Sequence, residues 1–539
     1  MSPQTKSASH DFTLKAREIL EKESREQLEG IYGLLPDGKW EPSKNYPALE
    51  KIPEAMETRK RLERFIEDER AADLNPQEVR EKIIKEAAFT WLNRLVAFKM
   101  MESRKLLRQT VSKGPQSNGF LMWLTESGNE KDYERHDKGD LPRNEIGEGP
   151  RHEAYRHFIL HQCAELAKET KILFDPDNLS SRIFPRPRLL KDLLALLNDE
   201  ALTDAWQEDE TIGWVYQHFI EDDKERVFNK IYTLKQKMAL RDIAPATQIF
   251  TPKWIVQYLV ENTLGRLWLR MHPDSRFMGK IKYYVPQNSD RQPIPVKAVR
   301  DITLLDPACG TMHFGMVAFD IFYEMYLEEL DMAGQQGWPK TPSVGEKSDI
   351  PASIIENNLY GIDLDLRAIQ LSALSLLIKA KTKNGSVILK RLNLTHTDIP
   401  EFSEKAIHDF VESLDTAHNV TKKLLRQILP TLNKAYYLGS LLRIETVIQD
   451  FVERERIALK DFRRLQIPLF ESDRPQQLEL ELTVKRKIVW DDVKSEILSA
   501  FQQFLATRKE VGGAFVANES LKGLNLIDAL IRKHDVVVC

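Results

Sequence analysis

The chain has 539 residues, 42% hydrophobic and 30% charged, with a net charge of −4 and a pI near 6.4. That length supports several cores, and the acidic balance argues against a dedicated nucleic-acid binder while leaving room for a local basic groove. Three widely spaced cysteines, Cys163, Cys309 and Cys539, make neither a disulfide framework nor a CxxC metal knuckle. The opening Met1–Lys6 has no apolar signal core and no stretch approaches the ~20 apolar residues of a membrane span, so a soluble, reduced, cytoplasmic protein without a membrane partner is expected.

Residues 1–110 carry helical periodicity. Phe12, Leu14, Ile19 and Leu20 open it, and Phe89, Leu92, Leu95, Val96 and Met100 repeat at three- and four-residue steps. Residues 113–152 hold six glycines and three prolines, which predicts a long, irregular, exposed segment. A second helical block runs from 152 to 240, broken at Pro176, Pro185 and Pro187. This gives an α-helical N-terminal domain over 1–240. From 241 onward strand-like runs alternate with helices: Ile302–Leu305, Leu359–Ile362, Val387–Leu394 and Val536–Val538. The alternation predicts a βαβ domain with a parallel sheet over 241–539. A charged, mostly helical insertion is expected near 400–530, before the last strand.

Asp306 ends the first of these strands. Pro307, Ala308, Cys309, Gly310 and Thr311 make a tight turn, and Phe314–Leu330 reads as a helix. Small residues let the backbone approach a ligand, and Gly310 can adopt positive φ. An acidic strand end suits an ammonium group, and the following helix start offers free N–H donors. The next strand ends in Asp363, where a carboxylate can accept both hydroxyls of a ribose; Asp365 is better placed as the N-cap of the helix 366–379. Asp398 suits either an adenine amino group or a turn before Pro400. Upstream, Thr251 is expected at a helix N-cap with Pro252 at N1, where its hydroxyl and the open N–H groups suit a carboxylate. Each of these residues also has a plain structural reading as cap, turn former or core neighbour.

A nicotinamide dinucleotide would need a G-x-G-x-x-G turn for its pyrophosphate. This loop has a single glycine and is led by an aspartate, which repels phosphate and attracts a cationic amino acid. S-adenosylmethionine, with an amino group, a sulfonium and no phosphate, is the better match.

Together these segments resemble the N6-adenine DNA methyltransferases whose cofactor helix comes first in the motif order. Phe250-Thr251-Pro252 is similar to their leading Phe-Thr-Pro. Asp306-Pro307-Ala308-Cys309-Gly310-Thr311 looks like their Asp-Pro-Ala-Cys-Gly-Ser, with Thr311 for the usual Ser, and Gly361–Asp365 matches their second-strand motif. Thr247–Arg270, Ile212–Gln217 and Phe89–Ala97 narrow the resemblance to PglX, the methyltransferase of BREX phage-defence systems.

The resemblance implies a Rossmann-like α/β methyltransferase domain behind a large helical domain, with transfer of a methyl group from S-adenosylmethionine to adenine N6 in duplex DNA. It gives Thr251, Asp306, Pro307, Ala308, Cys309, Gly310, Asp363 and Asp398 as cofactor-binding residues, and it requires no metal. Double-stranded DNA, other BREX proteins or a C-terminal fragment are the implied partners. Family chains continue with an (Asp/Asn)-Pro-Pro-aromatic catalytic loop that holds the extruded base. No Pro-Pro occurs here, so no catalytic residue is assigned and the domain is expected to be incomplete at its C-terminus. The alternative is a truncated or split subunit that binds the cofactor or partner proteins without methylating alone. Glu169-Thr170-Lys171 lacks the spacing of a nuclease motif. Arg182, Arg186, Arg188 and Lys191 read as a solvated loop in preference to a phosphate-binding one.

Overall fold

A computed structural model describes residues 3–70, 75–169, 171–238, 242–248, 250–287, 294–397, 419–432 and 532–539, with a few isolated positions between 407 and 530. Asp398 and most of the expected 400–530 insertion lie outside the described residues; within it, Asn419–Leu432 is helical. Among the described residues no helix is long and apolar enough to cross a membrane.

Two 28-residue helices, α1 (Pro3–Gly30) and α2 (Pro76–Ser103), form the spine of the N-terminal block. The start of α2 is fixed chemically. Asn75 accepts from the Glu78 amide at 2.8 Å, the Glu78 side chain reaches back to the Asn75 amide, and Pro76 occupies the first turn, a capping box. Buried Phe89, Leu92, Leu95, Val96 and Met100 pack α2 against Phe12, Ala16 and Leu20 of α1 and the aromatic cluster Phe120, Tyr155 and Phe158. Fully buried Arg94 donates to the carbonyls of Leu173 and Asp175 and to Ser181 Oγ. A buried guanidinium needs such partners, and these tie down the chain around Pro176. The 113–152 stretch is more regular than expected: Asn118–Leu124 buries Phe120 and Trp123, while Glu130–Lys138 is a solvent-facing helix. Of the basic string, Arg186 pairs with Glu23 and Glu26, and Arg182 contacts Glu57.

The C-terminal part contains a four-stranded, wholly parallel sheet of order β3-β2-β1-β4: β1 Leu304–Asp306, β2 Leu359–Asp363, β3 Leu394–His396 and β4 Val536–Val537. Asp306 pairs with Gly361, and Asp363 with His396. The third strand falls later than the apolar run Val387–Leu394 suggested, because Val387 and Leu389 are buried by packing without joining the ladder. The last strand is held at its start, where Asp535 accepts from the Thr303 amide at 3.0 Å and pairs with Lys297. From β1 the chain first builds outward to β2 and β3, and β4 then pairs on β1's other side. A switch point therefore lies between β1 and β4, at whose carboxyl ends an open parallel sheet leaves a crevice.

Helix α3 (Thr211–Phe219) belongs to the N-terminal block, α4 (Lys253–Val260) precedes the sheet, α5 (His313–Met332) follows β1, and α6 (Leu366–Lys383) follows β2. Every residue of α6 from Ala368 to Ala380 is buried. Ala368, Leu371, Leu374 and Ile378 join the core of the helical block, whereas Ile369, Leu376, Leu377 and Ala380 join the core of the sheet. Burying a Leu or Ile side chain contributes about 1.5–3 kcal/mol, so each face of α6 carries several kilocalories of packing.

Candidate cofactor site at the sheet edge

The turn after β1 is a set of directed backbone bonds. The Ala308 amide donates to Asp306 Oδ1 (3.2 Å), the Cys309 amide to the Ile362 carbonyl (2.9 Å), and the Gly310 amide to Asp363 Oδ2 (2.8 Å). Ser372 on α6 donates to the Gly310 carbonyl at 2.8 Å. Gly310 takes φ +53°, and a Cβ there would meet nothing within 4 Å, so the turn presents bare backbone to open space. Met312, fully buried, takes φ +66° at the N-cap of α5, a conformation uncommon for a non-glycine residue and frequent at functional turns. Gly361 makes the close approach possible, because a Cβ there would stand 3.0 Å from Cys309 Sγ and 2.8 Å from Leu394 Cδ2.

Two carboxylates meet at this edge. Asp306 is 1% exposed, and its Oδ2 is buried without a hydrogen-bond partner among the described residues. Burial pushes its carboxyl up to about 7, against the Ala308 amide and with help from the Asp363 charge. Asp363 is half-buried; burial lifts it to about 6, opposed by the amides of Asp365 and Gly310. Both Asp363 oxygens already accept one amide each, and each retains a second lone pair. Cys309 is buried, and burial with the two aspartates raises its thiol. Pro307 and Ala308 complete the turn.

Asp365 is the N-cap of α6, as expected, accepting from the Arg367 amide at 2.9 Å. It does more than cap. Its Oδ2 accepts from the Tyr216 hydroxyl of α3 at 2.7 Å and from Gln248 at 3.2 Å, and Arg367 forks onto it. Burial would raise Asp365, but the Arg367 guanidinium and the Tyr216 hydroxyl hold it below the usual carboxylate range. A second joint lies at Gly213, where an added Cβ would come within 2.3 Å of Phe250 Cε2 and 2.9 Å of Thr311 Oγ1. Helix α3 thus abuts both the Phe250–Pro252 segment and the turn after β1.

The expected cap at Thr251 does not form. Helix α4 starts at Lys253 with Pro252 in the N-cap position at φ −54°, ψ 138°, and no side chain caps it. Proline's fixed φ fits that extended N-cap as readily as a first helical turn, and Thr251 sits half-buried one residue further out. Phe250 packs on Trp214 (4.7 Å between centroids) and on His313 (4.4 Å). A cavity of about 390 Å³ opens beside this segment, lined by Phe250, Pro252, Lys253 and Trp214, and it does not reach Asp306 or Asp363. A smaller one, about 40 Å³, lies between Glu210, Thr311, His313 and Lys379. There His313 Nε2 and Glu210 Oε1 stand 4.0 Å apart, neither with a hydrogen-bond partner among the described residues, and burial with the Lys253 charge pulls His313 down to about 4.

Sequence reasoning brought Asp306, Gly310 and Asp363 to one edge, and the structure brings them together. It did not find Ser372, the close approach of Gly361 to Cys309 or the Tyr216–Gln248–Asp365 junction. A glycine inside a strand signals close backbone approach, which could have found Gly361; nothing local marks the others.

No protein-family model matches the chain. It is 29% identical over 422 residues to the adenine-specific methyltransferase BrxX of Escherichia coli O9:H4 (strain HS), covering 69% of this chain and 32% of that protein. It is 28% identical over 402 residues to the adenine-specific methyltransferase PglX of Lacticaseibacillus casei (strain Zhang), covering 68% and 31%. The chain spans about a third of the length of these curated relatives. The resemblance to the PglX-type adenine-specific methyltransferases is borne out in that both of these relatives carry that description and each matches about two thirds of the chain.

Proposed function

We propose that this chain is the cofactor-binding part of an S-adenosylmethionine-dependent methyltransferase acting on adenine N6 in duplex DNA, within a BREX-type defence system in the cytoplasm. The four parallel strands and their switch point support a Rossmann-like reading of the domain. The observation that carries the proposal is Asp306, a buried strand-end carboxylate with one unpartnered oxygen. A buried charge of this kind is costly until a cation meets it, and the open backbone at Gly310 leaves room beside it. The residues therefore fit the methyl donor. When bound, S-adenosylmethionine supplies an electrophilic methyl group activated by a sulfonium.

The chain's own residues bind and orient. Asp306 would hold the ammonium through Oδ2, and Asp363 would accept the ribose hydroxyls on its remaining lone pairs. Pro307, Ala308, Cys309 and Gly310 would line the cofactor with backbone. Thr251 would approach the carboxylate from the segment before α4, and Asp398 would take the adenine amino group. Placement and an environment suited to loss of positive charge are what such a transfer needs from the protein.

Calorimetric titration with S-adenosylmethionine tests the reading. Saturable binding is expected, at least tenfold weaker in Asp363→Ala with an unchanged circular dichroism spectrum. No binding at millimolar ligand, or wild-type affinity in both Asp306→Ala and Asp363→Ala, would overturn it. Incubation with labelled cofactor and adenine-containing duplex DNA then tests the transfer itself.

A further inference from the structure

Away from the sheet edge, three side chains of the helical block converge. His10 is on α1, His218 is near the end of α3, and Glu221 opens the next helix, Glu221–Phe228. Glu221 Oε2 stands 3.0 Å from His10 Nε2 and 3.8 Å from His218 Nδ1. One donor atom from each residue lies within 4.8 Å of the other two, and all three residues are partly exposed. The imidazoles meet edge to face with centroids 4.8 Å apart. Behind them, Asp11 lies 3.3 Å from His10 Nδ1, and Trp214 stacks on His218 at 5.9 Å. Two cations of the same helix are engaged elsewhere: Arg17 with Glu21 and Asp222, and Lys6 over the Trp214 ring at 4.2 Å.

We infer that His10 Nε2, His218 Nδ1 and the Glu221 carboxylate form a binding site for a divalent transition-metal ion, with Zn²⁺ as the reference ion, that clasps α1 to α3. Two imidazoles and one carboxylate suit ions of borderline softness, and three protein ligands leave positions for water. A tetrahedral ion with bonds of about 2.1 Å spaces its ligand atoms about 3.4 Å apart; the separations from Glu221 are 3.0 and 3.8 Å, and with the three donor atoms spread over up to 4.8 Å the partly exposed imidazoles would draw together on binding. Asp11 stands where a carboxylate behind a metal-bound histidine fixes the ring's tautomer and orientation. Both imidazoles present a ring nitrogen to the same Glu221 oxygen, His10 from another helix and His218 from three residues upstream. The helix so held, α3, is the one that carries Tyr216 to Asp365, so the ion would steady the junction with the cofactor edge without taking part in methyl transfer.

The test is a titration of chelator-treated protein with Zn²⁺ against a chromophoric competitor, and with Co²⁺ followed by visible absorption. One equivalent is expected to bind with a micromolar or lower Kd. Affinity should fall at least tenfold in His10→Ala and in Glu221→Gln, while His161→Ala, exposed elsewhere on the same block, binds like the wild type. The His10 and Glu221 side chains are 35% and 42% exposed, so these variants keep the fold, which circular dichroism checks. Failure to bind one equivalent, unchanged affinity in both ligand variants, or an equal loss in His161→Ala would overturn the inference. Cofactor titration of the same preparations reports on the methyltransferase reading separately.

Discussion

Lowering the pH should weaken S-adenosylmethionine binding through Asp306. Its carboxyl stands at about 7 against about 3.9 in an unfolded chain. The sign follows from linkage: this group's contribution to the stability of the ligand-free fold is complete below about pH 4 and is lost as the pH rises through 7. A cationic ligand works the other way, since it needs the carboxylate ionised. Asp306 is about half ionised at pH 7 and about 3% ionised at pH 5.5, so affinity should drop about fifteenfold between those values. Asp363, at about 6, adds to the drop. Within this window the ligand's α-amino group, with a pKa near 8, stays protonated, so the protein supplies the titration. Calorimetry in two buffers of different ionisation heat should show about half a proton released from Asp306 per ligand bound at pH 7. In Asp306→Asn the remaining slope should be that of Asp363 alone. A Kd that is flat from pH 5.5 to 7, or a wild-type slope in Asp306→Asn, would refute the reasoning.

The same substitution should raise the melting temperature of the ligand-free protein, by an amount that grows between pH 4 and 7 and levels off above, because it removes a buried charge; a pH-independent change would show that Asp306 is solvated. Tyr216→Phe deletes the hydroxyl that donates to Asp365 at 2.7 Å. A hydrogen bond to a charged group contributes about 1.5–3 kcal/mol, and the lower half of that range is expected because Arg367 and Gln248 still serve Asp365; faster hydrogen exchange in the first turns of α6 is the readout, and unchanged exchange would refute the link. Gly213→Ala forces a methyl group to within 2.3 Å of Phe250. Overpacking should cost about 1–3 kcal/mol and weaken cofactor binding, and a variant that matches wild type in both melting and affinity would show that α3 does not set the Phe250 segment.

What was legible in the sequence is what local chemistry dictates. Asp306, Gly310 and Asp363 lie at strand ends and in a tight turn, where few residue types fit, and Asp365 announces its helix. The cap at Thr251 was misjudged because a proline can occupy either the N-cap or the first turn, and the choice depends on how α4 meets the sheet. Val387–Leu394 read as a strand because apolar runs do not say whether burial comes from a ladder or from packing. The Tyr216–Asp365 and Gln248–Asp365 bonds join residues 149 and 117 positions apart, and no periodicity encodes a contact of that kind.

Helix α6 has a practical consequence for anyone dissecting this protein. A fragment that keeps the sheet but drops the helical block would carry Ala368, Leu371, Leu374 and Ile378 into water as a continuous apolar stripe, an invitation to aggregate. It would also leave the Asp365 cap without the Tyr216 hydroxyl. Low solubility of such a fragment would therefore report a severed packing surface and should not be taken as evidence that the cofactor edge is malformed.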